Sequence, residues 1–263
     1  MRMKWHKICA TACAVLLAQL AALPIDARGR RPVFDPEDLD MQDSGIVQVN
    51  MLAGVQSDSG GFRAIAPDWE LNCAVTDRLE LGVDGAISVV FPDGLGAAMQ
   101  PVQADNIWLS AKHLIIDIER GAQRNAWAIG LQHGPRLPFA PDTYGLGYQA
   151  LGLVARNVDN IRVVFNLGVF ADPKVTGLQD RPMGVLTGLD ATLVLDAARR
   201  WELDPDLSFG RYSDGTNEAT AALLLQFSPS ARLDLGLQVS GGWLAGGPAW
   251  GASMVVAPNV QLR

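Results

Sequence analysis

Sulfur and imidazole are scarce in this sequence, with three cysteines and three histidines in 263 residues. Cys9 and Cys13 fall inside a leader-like N-terminus, and Cys73 is then alone. That excludes a disulfide framework and a thiolate metal cluster. Tyrosine is equally rare, at three. No apolar run beyond Leu23 reaches the length of a membrane-spanning helix. Convincing helical periodicity is missing throughout. Positive charge is also in deficit, with 21 Lys+Arg against 28 Asp+Glu. The balance speaks against a nucleic-acid partner.

The N-terminus is the one long greasy stretch. Arg2, Lys4 and Lys7 precede the run 8–23, "ICATACAVLLAQLAAL". A basic start followed by a short apolar core reads as a secretory signal peptide, expected over 1–27. Removing it leaves 18 Lys+Arg against 27 Asp+Glu, so the net charge falls to about −9. Residues 28–44, "RGRRPVFDPEDLDMQDS", are charged and aperiodic, and read as a flexible periplasmic N-terminal segment. From 45 to 263 the chain changes character and alternates.

That alternation is plainest in 71–85, "LNCAVTDRLELGVDG". Leu71, Cys73 and Val75 precede a tight turn at Thr76, Asp77 and Arg78. Leu79, Leu81 and Val83 follow it. A side-chain period of two marks a strand with two different faces, and the turn sets Val75 opposite Leu79 in a hairpin. The run 232–238, "RLDLGLQ", restates 78–84, "RLELGVD". Twelve alternating segments of about ten residues recur to the end: 45–56, 64–75, 79–90, 105–117, 124–135, 144–156, 161–171, 183–195, 200–211, 217–227, 232–242 and 248–258. Short connections such as 76–78 and 158–160 contrast with long ones at 92–103, 134–145 and 172–182.

Number decides which face is outside. Twelve strands enclose more space than Leu and Val can fill, whereas about eight would suit a packed interior. The polar row carries Gly82, Gly130, Gly168, Gly188 and Gly236 together with carboxylates. Small and acidic residues suit enclosed water, and Leu, Val, Ile and Phe suit lipid. The expectation is an all-β fold: an antiparallel up-and-down transmembrane β-barrel of about 12 strands in the Gram-negative outer membrane. Glu70, Glu80, Asp84, Lys112, Arg162, Asp190 and Asp234 are expected to line its lumen. Trp69, Trp201, Trp243 and Trp250 are expected in aromatic girdles at the membrane interfaces. The alternation predicts outer-membrane lipid as the partner of the apolar row.

Catalysis is not expected, and neither is a cofactor or a metal. After removal of the leader only His113 and His133 remain. Both sit on the apolar parity, far apart in sequence, with no serine at the spacing that outer-membrane lipid hydrolases use.

The stretch "PDWELNCAVTDRLELGVDG" (67–85), the strand "DNIWLSAKHLIID" (105–117) and "AIGLQHGPRLPFAPDTYGLG" (128–147) resemble the outer-membrane family named for the meta-pathway of phenol degradation. The similarity covers about 45–170 in motif and the rest in pattern. It implies a transporter-like barrel for small molecules, aromatic or hydrophobic ones among them, with the cargo left unnamed. It also implies assembly by the barrel assembly machinery. Two departures stand out: Cys73 where the family has an aromatic, and a C-terminus "VVAPNVQLR" without a terminal aromatic. A non-transporting envelope barrel and, more remotely, a lipid-modifying enzyme are the alternatives.

Overall fold

A computed structural model describes residues 39, 41, 44–58, 61–91, 102–116, 125–244 and 247–261. The expected leader at 1–27 lies outside them, as does most of 28–44. The described residues contain fifteen strands and no helix. They are β1 (Ile46–Asp58), β2 (Gly61–Thr76), β3 (Leu79–Phe91), β4 (Gln103–Ala104), β5 (Ile107–Ile116), β6 (Asn125–Leu137), β7 (Thr143–Tyr144), β8 (Gly147–Val158), β9 (Ile161–Ala171), β10 (Lys174–Val175), β11 (Met183–Val194), β12 (Trp201–Tyr212), β13 (Asn217–Ser230), β14 (Leu233–Leu244) and β15 (Gly247–Gln261).

Each long strand is hydrogen-bonded antiparallel to the long strands before and after it in the chain. The last returns to the first: Val47 faces Val260, and Met51 faces Val256. The sheet therefore closes into a twelve-stranded antiparallel barrel. Closure matters because an open edge would leave a row of N–H and C=O groups without partners. Two-residue turns join β2 to β3, β8 to β9 and β13 to β14, all at one end of the barrel. β1 begins, and β15 finishes, at that same end. Another turn there is built by Asp196, whose carboxylate accepts the amides of Arg200 at 2.7 Å and Trp201 at 2.9 Å. The Trp201 amide contributes most to holding this carboxyl below the usual carboxylate range. At the other end the long connections after β6 and β9 meet, as β7 pairs with β10.

The alternation places the exposed large apolar side chains on one parity. Leu167 and Val169 on β9, Leu237 and Val239 on β14 and Met254 on β15 are each more than half exposed. The opposite parity points inward and is buried. Two details depart from the sequence reading, at Val75 and Pro135, while Pro67 lies inside the strand expected over 64–75. Thr76, not Val75, faces Leu79, because a register shift between Ala74 and Thr76 bulges Val75 out of the ladder. β2 runs on through Pro67, which sits in a second register shift between Ile65 and Asp68. β6 continues past Pro135 to Leu137, so its last turn is wall where the sequence reads a loop. Pro135 lacks an N–H and falls in a gap of the β5–β6 pairing, which is why a strand can tolerate it.

Cys73 is buried beside Val47 and Leu71.

Candidate functional site

The interior of the barrel is the candidate site. Strand register puts Glu70, Glu80, Asp84, Lys112, Arg162, Asp190 and Asp234 on the row opposite the exposed apolar side chains, but they do not form one ring. Glu80 and Lys112 are direct cross-strand neighbours, with Nζ 3.5 Å from Oε1 and both side chains at most 5% exposed. Glu70 faces Asp84 across β2 and β3 and accepts a hydrogen bond from Asn50 Nδ2 at 2.9 Å. Asp190 faces Asp206 across β11 and β12, and Arg162 faces Thr192 across β9 and β11, one inward step further along β11. Asp234 lies near the short-turn end, where it accepts from Asn259 Nδ2 at 3.1 Å.

One well-connected charged group is a residue that the sequence reading placed in a loop. Arg136 Nε is 2.7 Å from Asp172 Oδ1, its Nη2 is 3.7 Å from Asp105, and its Nη1 donates to Gln149 Oε1 at 2.7 Å. Arg136, Asp172 and Gln149 are buried. A planar guanidinium with five donors can hold β6, β8 and the segments flanking them in one network. Its signal in the sequence is hidden, because "GPRLP" reads as a breaker.

The interior is not uniformly polar. Trp108, Leu151, Phe170 and Leu186 are buried against one another, with Tyr212 packed on them. All five belong to the inward row of β5, β8, β9, β11 and β12. A second inward cluster joins Leu114, Ala128, Leu153, Ala155 and Val164 to Leu39 and Met41. The segment expected as a flexible periplasmic element therefore has two residues buried against the inner wall. Gly130 provides the seat: a Cβ there would collide with Leu39 Cδ1. Gly168 is similar, since a Cβ would meet Leu151 Cδ2 and the Ala150 carbonyl. Gly130 and Gly168 thus make room for side chains rather than for water.

A pocket on the other side is lined by β1, β2, β13, β14 and β15, with Leu52, Ile65 and Ala222 beside Gln56, Asp68, Thr220, Gln238, Ser240 and Ser253. Among the described residues, apolar fill thus lies along β5 to β12, and this pocket, of mixed polar and apolar lining, lies along β13 to β2.

On the outside, Trp201, Trp243 and Trp250 are exposed, as a girdle requires. Trp69 is not. It shares the outward row but is buried with Val83 and Ile107, beneath Leu109, Leu137 and Phe139. Phe139 brings the 138–142 connection against the outer wall. Asn106 Oδ1 fixes that connection by accepting from the amides of Phe139 and Ala140 and from the Thr143 hydroxyl.

No family model and no curated protein matches the chain. Solved structures do share its fold. An outer membrane channel from Pseudomonas putida F1 superposes with a TM-score of 0.61 at 12% identity, covering 87% of this chain and 100% of that one. The NanC porin gives 0.57 at 6% identity, over 80% of this chain and 98% of that one. The KdgM porin, solved with disordered oligogalacturonate, gives 0.53 at 8% identity, over 80% and 98%. The architecture of this chain is therefore similar to that of outer-membrane channel and porin barrels.

Proposed function

We propose that this chain is a channel of the Gram-negative outer membrane that admits small molecules. In this reading residues 1–27 direct export, 28–44 are a periplasmic N-terminal segment, and 45–263 form the barrel. The observation that carries it is the outward row of exposed Leu, Val, Phe and Met on β6, β8, β9 and β11 to β15 of a closed sheet. Water-soluble monomers rarely expose contiguous apolar patches beyond a few hundred Å². A hydrocarbon surround removes that difficulty, and the space inside the wall then becomes the wet interior.

The chain belongs, in this proposal, with the phenol meta-pathway type of barrel that its 67–147 motifs resemble. Cargo that is aromatic or hydrophobic is supported by the inward Trp108, Phe170 and Tyr212. The inward carboxylates favour cations over anions in the same passage. We assign no catalytic role to any residue.

The test is reconstitution of the folded barrel into planar bilayers and liposomes. Discrete conductance steps and swelling in small solutes are expected. A folded, inserted barrel that leaves bilayers sealed would favour the second reading, an envelope barrel without transport. The apolar fill around Leu39 and Leu153 is the feature that speaks for that second reading.

A further inference from the structure

The pocket along β13 to β2 is built on two inward rungs. Ala222, Ser240, Gly251, Gln56 and Arg63 are successive cross-strand neighbours on β13, β14, β15, β1 and β2. Gln238, Ser253, Gly54 and Ile65 form the next rung towards the short-turn end. The glycines keep the wall low. A Cβ at Gly54 would meet β15, and one at Gly251 would meet Ser240 Oγ, so each is crowded by its own wall. At Gly130, by contrast, Leu39 from the N-terminal segment takes the space.

Most of its polar groups are uncharged. Gln56 is 8% exposed, and among the described residues its amide has no hydrogen-bond partner. A buried amide in that state costs free energy until water or a solute supplies a partner. Gln238 Oε1 accepts from Ser253 Oγ at 3.1 Å, which leaves the Gln238 NH2 to donate. Ser240 and Thr220 add hydroxyls that both donate and accept. Gln56 and Gln238 are two strands and two residues apart, about 12 Å between backbones, so their heads close on one small ring. Three ligand classes fit poorly. A divalent cation needs converging carboxylates, and among the described residues no such group exists. An anion needs convergent cations, whereas the charged side chain on the lining is Asp68, and Arg63 beside Gln56 is buried and already engaged. A hydrocarbon would leave the Gln56 amide unpaired.

We propose that this pocket binds a neutral, hydroxyl-rich solute the size of one sugar ring. Adjacent hydroxyls of such a ring donate to an amide oxygen and accept from an amide NH2, and Gln56 and Gln238 supply these groups. Its C–H face packs on Leu52, Ile65 and Ala222. The contacts are neutral hydrogen bonds and a small apolar patch, so binding is weak, about millimolar, and the solute leaves as readily as it arrives. Gln56 lies two residues from the end of β1 and Gly251 four from the start of β15, both at the long-connection end, so a solute entering there meets the pocket early. The place of this site on a route across the membrane rests on the channel reading; the binding itself does not.

The test adds glucose, galactose or mannose to the full chain folded in a detergent without a sugar head group. Saturation-transfer NMR and calorimetry read the binding, and heat-modifiable gel migration establishes that each variant is folded. At least one hexose is expected to bind saturably, with gluconate and glucosamine weaker than the neutral sugar. Gln56→Leu and Gln238→Leu should each weaken it about tenfold, because a sugar hydroxyl is left unpaired. Ala222→Phe should abolish it by filling the pocket. No saturable hexose binding, or glutamine variants that bind as the native barrel does, would overturn the site. Tighter binding of gluconate would overturn its neutral class. Conductance without hexose binding would overturn the site and leave the channel; hexose binding by a barrel that leaves bilayers sealed would do the opposite.

Discussion

Replacing Lys112 by Met leaves Glu80 charged on the inner wall at 2% side-chain exposure. The native pair is 3.5 Å apart. At an effective dielectric of about 20, two unit charges at that distance attract by about 5 kcal/mol. Removing one partner of a buried pair costs about 3–5 kcal/mol, because the remaining charge keeps its desolvation penalty without compensation. Replacing both, as Glu80→Gln with Lys112→Met, should recover most of the loss and leave the barrel within about 1–2 kcal/mol of native. Urea unfolding of the barrel refolded into lipid vesicles, followed by tryptophan fluorescence, gives the three free energies of a double-mutant cycle. A coupling energy near zero, with Lys112→Met costing under about 1 kcal/mol, would refute the reasoning. It would mean that water reaches Glu80 and screens it as it screens any exposed pair.

Other substitutions test other parts of the wall. Gly168→Val should destabilise by about 1–3 kcal/mol, since its side chain meets the Ala150 carbonyl as well as Leu151; the same urea titration checks this. Leu39→Asp should lift residues 39–41 from the seat at Gly130, read as faster proteolysis of the N-terminal segment in the folded barrel. Leu237→Lys, on the outward row of β14, should cost about 2–4 kcal/mol in vesicles, while Gln238→Lys, one residue on and facing inward, should cost less than about 1 kcal/mol.

Much of the wall was legible because one physical rule governs every long strand. A period of two in Leu, Val and Phe against Gly and carboxylate gave all twelve strands and the parity of Glu70, Glu80, Asp84, Lys112, Arg162, Asp190 and Asp234. The last strand runs through Pro258 to Gln261 because its outward parity, Met254, Val256 and Val260, persists past the proline. What stayed hidden depends on neighbours distant in sequence. Arg136 looked like a loop residue until Asp172 and Gln149 arrived beside it from β8 and the β9–β10 connection. The interior looked wet throughout, because nothing local tells that Trp108, Phe170 and Leu186 meet across five strands. His113 and His133 looked isolated because register, not spacing, stacks them.

The orientation of the two rows can be read directly along β14. Single cysteines at each position from Leu233 to Leu244, introduced in a cysteine-free background and spin-labelled, would be exposed in vesicles to oxygen and to a water-soluble nickel chelate. Leu235, Leu237 and Val239 should collide with oxygen and be shielded from nickel, and Gly236, Gln238 and Ser240 should show the reverse. Accessibility with the opposite phase, or with no alternation, would contradict a barrel whose greasy row faces lipid.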